Sequence, residues 1–207
     1  MAQARSDSGV VQLLADTTFR RPHDGVRSPL VEQALGPEGV RDNPGAGKCS
    51  AAANAVVADP TVRLVVLHDR TVHQMPLDRA VDPKWARELL AFHVVAFKAD
   101  GTVADFSHAG ASAERIASGD FAVVAPQQQQ GVLEEIFKGF GGIEEFATAL
   151  VDDSRRLGVT GVTREEAEER LRQAVTFAPQ TALDFLGAHA TLGQYVVPGT
   201  DAAPRPN

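Results

Sequence analysis

The chain has 207 residues and a hydrophobic content of 43%, enough to build one folded domain or one domain with a helical appendage. Its formal net charge of −7 argues against a nucleic-acid partner, because the phosphate backbone would be repelled. A single cysteine excludes an internal disulfide and a zinc site built from several thiolates. The abundance of Ala, Val and Gly, with more Arg than Lys, is a bacterial-type composition.

The acidity is concentrated towards the C-terminus. Residues 129–207 hold 7 Lys and Arg against 12 Asp and Glu, a balance of −5, whereas residues 1–60 and 61–128 each balance at −1. The sequence has no basic segment followed by an apolar run at its start, and no apolar stretch reaches about 18 residues. We therefore expect no signal peptide, no membrane partner and a cytoplasmic location.

The first half of the chain is predicted to be irregular at its start and then to alternate helices with strands. Helices are expected over residues 28–35 and over the Ala-rich residues 48–58, which Asp59 and Pro60 end. The β-branched run at residues 62–67 predicts a buried strand, and residues 71–75 are its expected neighbour. A short helix after Pro83 precedes a hairpin of residues 92–98 and 102–107, and residues 121–124 form a further strand. Residues 62–67 and the hairpin should share one sheet, because a lone hairpin is barely stable.

Apolar residues at helical spacing mark residues 129–191, called here the helical third. Thr163 and Glu166 form a capping box for one of its helices. Its helices are expected to pack in antiparallel fashion through buried side chains: Leu133, Phe137, Phe146, Leu150 and Leu171. The predicted fold class is α+β, a central, mostly antiparallel sheet with flanking helices and a helical C-terminal third. Residues 1–128 form the α+β core with an irregular N-terminal segment, residues 129–191 a helical subdomain packed on it, and residues 192–207 a tail.

Cys49 is the first candidate for chemistry, because it opens a predicted helix directly after Lys48. The positive end of the helix dipole, the unpaired N–H groups and the lysine all favour a thiolate, the form that attacks a carbonyl. A nucleophilic cysteine also needs a base, usually a histidine oriented by a third group. The alternative is that Cys49 is a small apolar residue in the first turn of a helix.

The hairpin supplies the candidate base, and its register decides what lies beside it. A two-residue turn would place His93 opposite His108, whereas a three-residue turn over residues 99–101 would place it opposite Ser107. The three-residue turn separates apolar from polar positions better, so it is preferred. In that register His93 and Asp105 share one face as diagonal neighbours, about 7 Å apart at the backbone.

This order of parts resembles that of the papain-like thiol enzymes, a group that includes transglutaminase-like proteins and protein-glutaminases. Residues 49–53 look like their cysteine helix, residues 92–95 like their histidine strand and residues 103–107 like their aspartate strand. The resemblance covers residues 43–108. It implies Cys49 as nucleophile, His93 as base and Asp105 as the group that orients it, with Asn43 binding the oxyanion.

No metal and no other cofactor is expected. The segment from Gly45 to Lys48 is similar to a phosphate-binding loop only in part, since the first glycine of that motif would fall at Asp42 and Cys49 replaces its hydroxyl. Histidines near strand ends, such as His68, are more often structural than metal-binding.

Two functions remain open. One is a thiol-dependent hydrolase or acyl-transferase that acts on an amide or thioester, in a protein or in a small amide-containing substrate, through Cys49, His93, Asp105 and Asn43. The other is a non-catalytic interaction or accessory protein that binds a protein partner through the helical third, with Phe137, Phe140 and Phe146 as contact residues.

Overall fold

The computed structural model describes residues 26–42, 46–70, 90–97, 103–104, 120–156, 158–176 and 194–197. These residues form helices and strands in mixed order, which confirms the α+β class. The helices are α1 (Pro29–Asp42), α2 (Ser50–Ala58), α3 (Gln129–Lys138), α4 (Ile143–Arg156) and α5 (Arg164–Thr176). The strands are β1 (Arg63–Asp69), β2 (Phe92–Phe97), β3 (Val103–Ala104), β4 (Phe121–Val124) and β5 (Gln194–Tyr195). Within the described part of the chain, no helix is long and apolar enough to cross a membrane.

One sheet contains all of these strands, in the order β3-β2-β1-β4-β5. β1 pairs antiparallel with both β2 and β4, β3 pairs antiparallel with β2, and β5 pairs parallel with β4. The β-branched run and the hairpin therefore share a sheet, as the sequence predicts. The predicted strand at residues 71–75 and residues 83–89 of the predicted helix after Pro83 lie outside the described residues.

The hairpin has the register that the sequence favours. Ala96 pairs with Ala104 and Phe97 with Val103, the pairing that the sequence prefers, while residues 99–101 lie outside the described residues. A slip of β3 by one residue would exchange its two faces.

The pairing sorts the strand residues onto two faces, because side chains alternate along a strand and paired residues share a face. One face, called here the helix face, packs against α2 and the helical third in the main hydrophobic core. The opposite face is called the far face. The helix face carries Leu64, Val66, His68, Phe92, Val94, Ala96, Ala122, Val124 and Tyr195. The far face carries Val65, Leu67, Asp69, His93, Val95, Phe121 and Val123.

The helical third packs through the side chains that its spacing predicts. All five of the named core residues are buried, each at most 1% exposed. Phe146 contacts both Phe137 and Phe140, with ring centroids 4.6 and 4.4 Å apart. The capping box of α5 is also confirmed: the Glu166 N–H donates to Thr163 Oγ1 at 3.1 Å, and the Thr163 N–H donates to Glu166 Oε2 at 2.9 Å.

Gln128 and Gln129 connect the sheet to the helical third. The Val66 N–H donates to Gln129 Oε1 at 2.7 Å, and Gln129 Nε2 donates to the Val66 and Val124 carbonyls at 3.0 and 2.8 Å. The Gln129 side chain thus bridges β1 and β4 beyond their last backbone pair, Leu67 with Val123. Gln128 exchanges two hydrogen bonds with the backbone of Val197, at 2.8 and 3.2 Å, next to β5. Gln194–Tyr195, which the sequence assigns to a tail, therefore form an edge strand of the sheet, and Gln128 holds Val197 just beyond it.

Gly47 is required by close packing of the loop before α2 against α1. Its φ is +74°, and a Cβ there would lie 2.6 Å from Val31 Cγ1. This contact explains the glycine of the Gly45–Lys48 segment without any phosphate. Gly131, by contrast, lies in α3 where a Cβ would meet nothing within 4 Å.

Replacing Gly47 with Ala should lower the free energy of unfolding by about 2 kcal/mol, because it combines left-handed strain with a steric clash. Gly131→Ala is the matched control and should raise it by about 0.5–1 kcal/mol, because alanine restricts the unfolded chain and favours a helix. Urea titration of both variants measures the two values. Equal effects of the two substitutions would contradict this account of Gly47.

Candidate functional site

Cys49 lies at the N-terminal cap of α2, where the sequence places it. The helix forms because its residues are mostly alanine, and the chain leaves it at Asp59 in an extended conformation. Cys49 is partly buried and packs against the main core on the helix face of the sheet. Its side chain makes no capping hydrogen bond to the helix.

The environment of the thiol favours its protonated form. Burial raises the pKa of Cys49 to about 12, against a smaller lowering effect of hydrogen bonds from the backbone N–H groups of Cys49 and Ser50. The helix terminus therefore acts in the direction that the sequence analysis expects, but desolvation is the larger effect. At neutral pH this cysteine is a thiol and not an attacking thiolate.

His93 lies on the far face of the sheet, away from Cys49. It pairs with Leu67 across β1 and β2, and its ring stacks on Phe121 with centroids 5.2 Å apart. Cys49 packs instead against the main hydrophobic core, whose members from β2, Val94 and Ala96, have the opposite parity. The sheet backbone thus separates the two groups, and the structure does not bring the predicted nucleophile and base together. Asn43 and Asp105 lie outside the described residues.

Among the described residues, the imidazole on the helix face is that of His68. Its ring stacks on Tyr195, with centroids 3.5 Å apart and an interplanar angle of 8°, and meets Phe92 edge-on at 6.2 Å. The alternation of side chains along β1 shows from the sequence that His68 shares a face with Leu64 and Val66. It does not show which face of the sheet packs against the helices. Within the described ranges, no three His, Cys, Asp or Glu side chains come together as a metal site.

A buried polar network joins α2 to α4. Asn54 Nδ2 donates to Asp153 Oδ2 at 2.6 Å, Arg156 donates to Asp153 Oδ1 at 2.7 Å, and Ser154 Oγ donates to Asn54 Oδ1 at 3.4 Å. Arg170 of α5 donates to the Val57 carbonyl near the end of α2. These groups satisfy one another, as buried polar groups in a structural role do, so the network fixes the helical third to α2.

A second candidate site is a cleft within the helical third, called here the α3–α5 groove. It encloses about 390 Å³, near the lower end of the roughly 300–1,000 Å³ of small-ligand pockets. It is lined by Gln130, Glu134, Phe137, Lys138, Gly142, Ile143, Arg172 and Val175. Phe137 and Val175 form its floor and are at most 3% exposed, whereas Ile143 is more open. The aliphatic stems of Lys138 and Arg172 extend the apolar walls.

The charge around the α3–α5 groove is negative. A hydrogen bond to Glu135 raises the pKa of Lys138, and the charge of Glu134 adds to the effect. Arg172 Nη2 donates a hydrogen bond to Glu168 Oε1 at 2.5 Å, and this bond raises the pKa of Arg172. The charges of Glu144 and Glu169 act on Arg172 in the same direction. Five carboxylates thus surround two cations, a local balance of −3.

This groove is not visible in the sequence, because the acidity of residues 129–207 does not show which carboxylates lie around an apolar cleft. The signal was present in part: Gln130, Glu134 and Phe137 are four and three residues apart, so they form one stripe of α3. Comparison with protein-family models, with curated proteins and with solved structures finds no match for this chain.

Proposed function

We propose that this chain is a non-catalytic interaction protein whose helical third binds a protein partner through the α3–α5 groove. The observation that carries the proposal is the groove itself, an open cleft with apolar walls and a charged rim. Its volume suits one or two side chains of a partner better than a whole helix laid into it.

The contact residues differ from those that the sequence suggests. Phe137 and Phe146 are at most 1% exposed, and the ring of Phe140 packs against Phe146 at a tilt, so these rings hold the helices together. The surface left for a partner consists of Ile143, the aliphatic stems of Lys138 and Arg172, and the polar side chains of Gln130 and Glu134. A partner would therefore meet a shallow, charged cleft with a small apolar floor.

The thiol-dependent hydrolase or acyl-transferase stays a prediction of the sequence. It requires a base for Cys49, and His93 lies across the sheet from the thiol. It also requires that a thiol with a pKa of about 12 lose its proton at neutral pH. The position of His93 and the high pKa of Cys49 both favour the interaction function over the enzymatic one.

Selection of random peptides displayed on phage tests the proposal. Clones that bind the wild-type chain are then tested for binding to Gln130→Trp. This substitution adds an indole at an exposed position in the lining of the groove. Thr148→Trp, which adds the same ring at an exposed position outside the groove lining, is the matched control. Some clones should bind the wild type and Thr148→Trp equally, and Gln130→Trp at least about tenfold more weakly. If no clone distinguishes the two tryptophan variants, the groove is not a binding site.

A further inference from the structure

We propose that the segment bound in the α3–α5 groove is basic: a peptide in which a lysine or arginine stands beside an apolar side chain. This inference rests on the proposed function and adds the chemistry of the partner. It follows from the charges on the rim and from the shape of the apolar surface between them.

The rim has more acceptors than its own cations use. Glu135 forms an ion pair with the ammonium of Lys138, and Glu168 forms one with the guanidinium of Arg172. Both cations of the groove therefore already have carboxylate partners within the chain. Glu134 lies in the groove lining, accepts a hydrogen bond from the neutral amide Gln130 Nε2 at 2.9 Å, and shares the charge of Lys138 with Glu135. A carboxylate in this state favours an incoming ammonium or guanidinium.

The wider surface repeats this bias. Residues 129–176 contain 10 Asp and Glu against 6 Lys and Arg, a balance of −4, so the whole helical third attracts a positively charged segment. The small apolar floor between the charges can cover one apolar side chain of that segment. An acidic or strongly anionic partner would be repelled by the excess of carboxylates over cations around the groove.

Fluorescence polarisation with the groove-dependent peptides tests the inference, using two charge-reversal variants with the same change in net charge. Glu134→Lys reverses the charge in the groove. Asp152→Lys does so at an exposed site on α4, nine residues beyond Ile143 and therefore about 13 Å along the helix and on its opposite side. The peptides should be rich in Lys or Arg next to an apolar residue. Glu134→Lys should weaken their binding about three- to tenfold, and Asp152→Lys less than about twofold.

Added salt should weaken binding to the wild type, because the rim is exposed to solvent. Groove-dependent peptides that are acidic or neutral, or equal effects of the two reversals, would overturn the inference and leave the interaction function standing. Failure to obtain any groove-dependent peptide would overturn both. Circular dichroism of each variant confirms that the fold is retained.

Discussion

Replacing Gln129 with Ala is expected to lower the free energy of unfolding by about 3–5 kcal/mol. The substitution removes three hydrogen bonds to the backbone of β1 and β4. Val66 and Val124 are fully buried, so their N–H and carbonyl groups would lose a partner without gaining water. Equilibrium unfolding in urea measures the effect.

Gln130→Ala provides the matched control one residue further along α3. Its side chain is exposed and bonds only to the neighbouring Glu134 within the helix, so the loss should stay below about 0.5 kcal/mol. If Gln129→Ala cost no more than this control, the Gln129 side chain would not hold β1 to β4.

Phe146→Ala should lower the free energy of unfolding by about 3–5 kcal/mol, because it leaves a cavity at the centre of the helical third. The ring is fully buried and touches Phe137 and Phe140, which cannot close the space without moving α3 and the turn that follows it. Leu150→Ala should lose about 2–5 kcal/mol at the same interface.

Thr148→Ala on the exposed side of α4 is the control, with an expected effect within about 0.5 kcal/mol. Thermal and urea unfolding of the three variants make the comparison. A loss below about 1 kcal/mol for both core substitutions would show that these side chains are not core.

The elements that local pattern determines could be predicted from the sequence. Helical spacing identified α3 and α4 and their buried side chains, and the alternation of apolar residues selected the register of the hairpin. Both predictions succeed because burial follows the repeat of the backbone itself. The capping box was equally local, since its two side chains are three residues apart.

Features that depend on distant contacts could not be predicted. A glutamine at the start of a helix gives no sign that its amide completes a sheet, and Gln194–Tyr195 is too short to show a strand period. The faces of the sheet on which Cys49 and His93 lie could not be predicted for a similar reason. The hairpin register gives the face of each side chain, but the side on which α2 packs is set by the rest of the core. The dipole effect on Cys49 had the expected sign, while its burial was not visible in the sequence.

The proposed interaction function and the thiol enzyme make the most different predictions for Cys49. Burial raises its pKa to about 12 in the folded chain. Alkylation by iodoacetamide should therefore be slow through the neutral range and should accelerate only well above the roughly 8.5 of a free cysteine. Chemical unfolding should restore the reactivity of an ordinary thiol.

The most direct measurement is the alkylation rate of Cys49 as a function of pH in the wild-type chain and in His93→Ala, with circular dichroism to confirm that both are folded. We expect no rapid alkylation of Cys49 at about pH 6. The alkylation rate should depend on pH in the same way in both proteins, because His93 lies on the far face of the sheet. Rapid alkylation near about pH 6 that His93→Ala abolishes would contradict it and would establish the thiol enzyme instead.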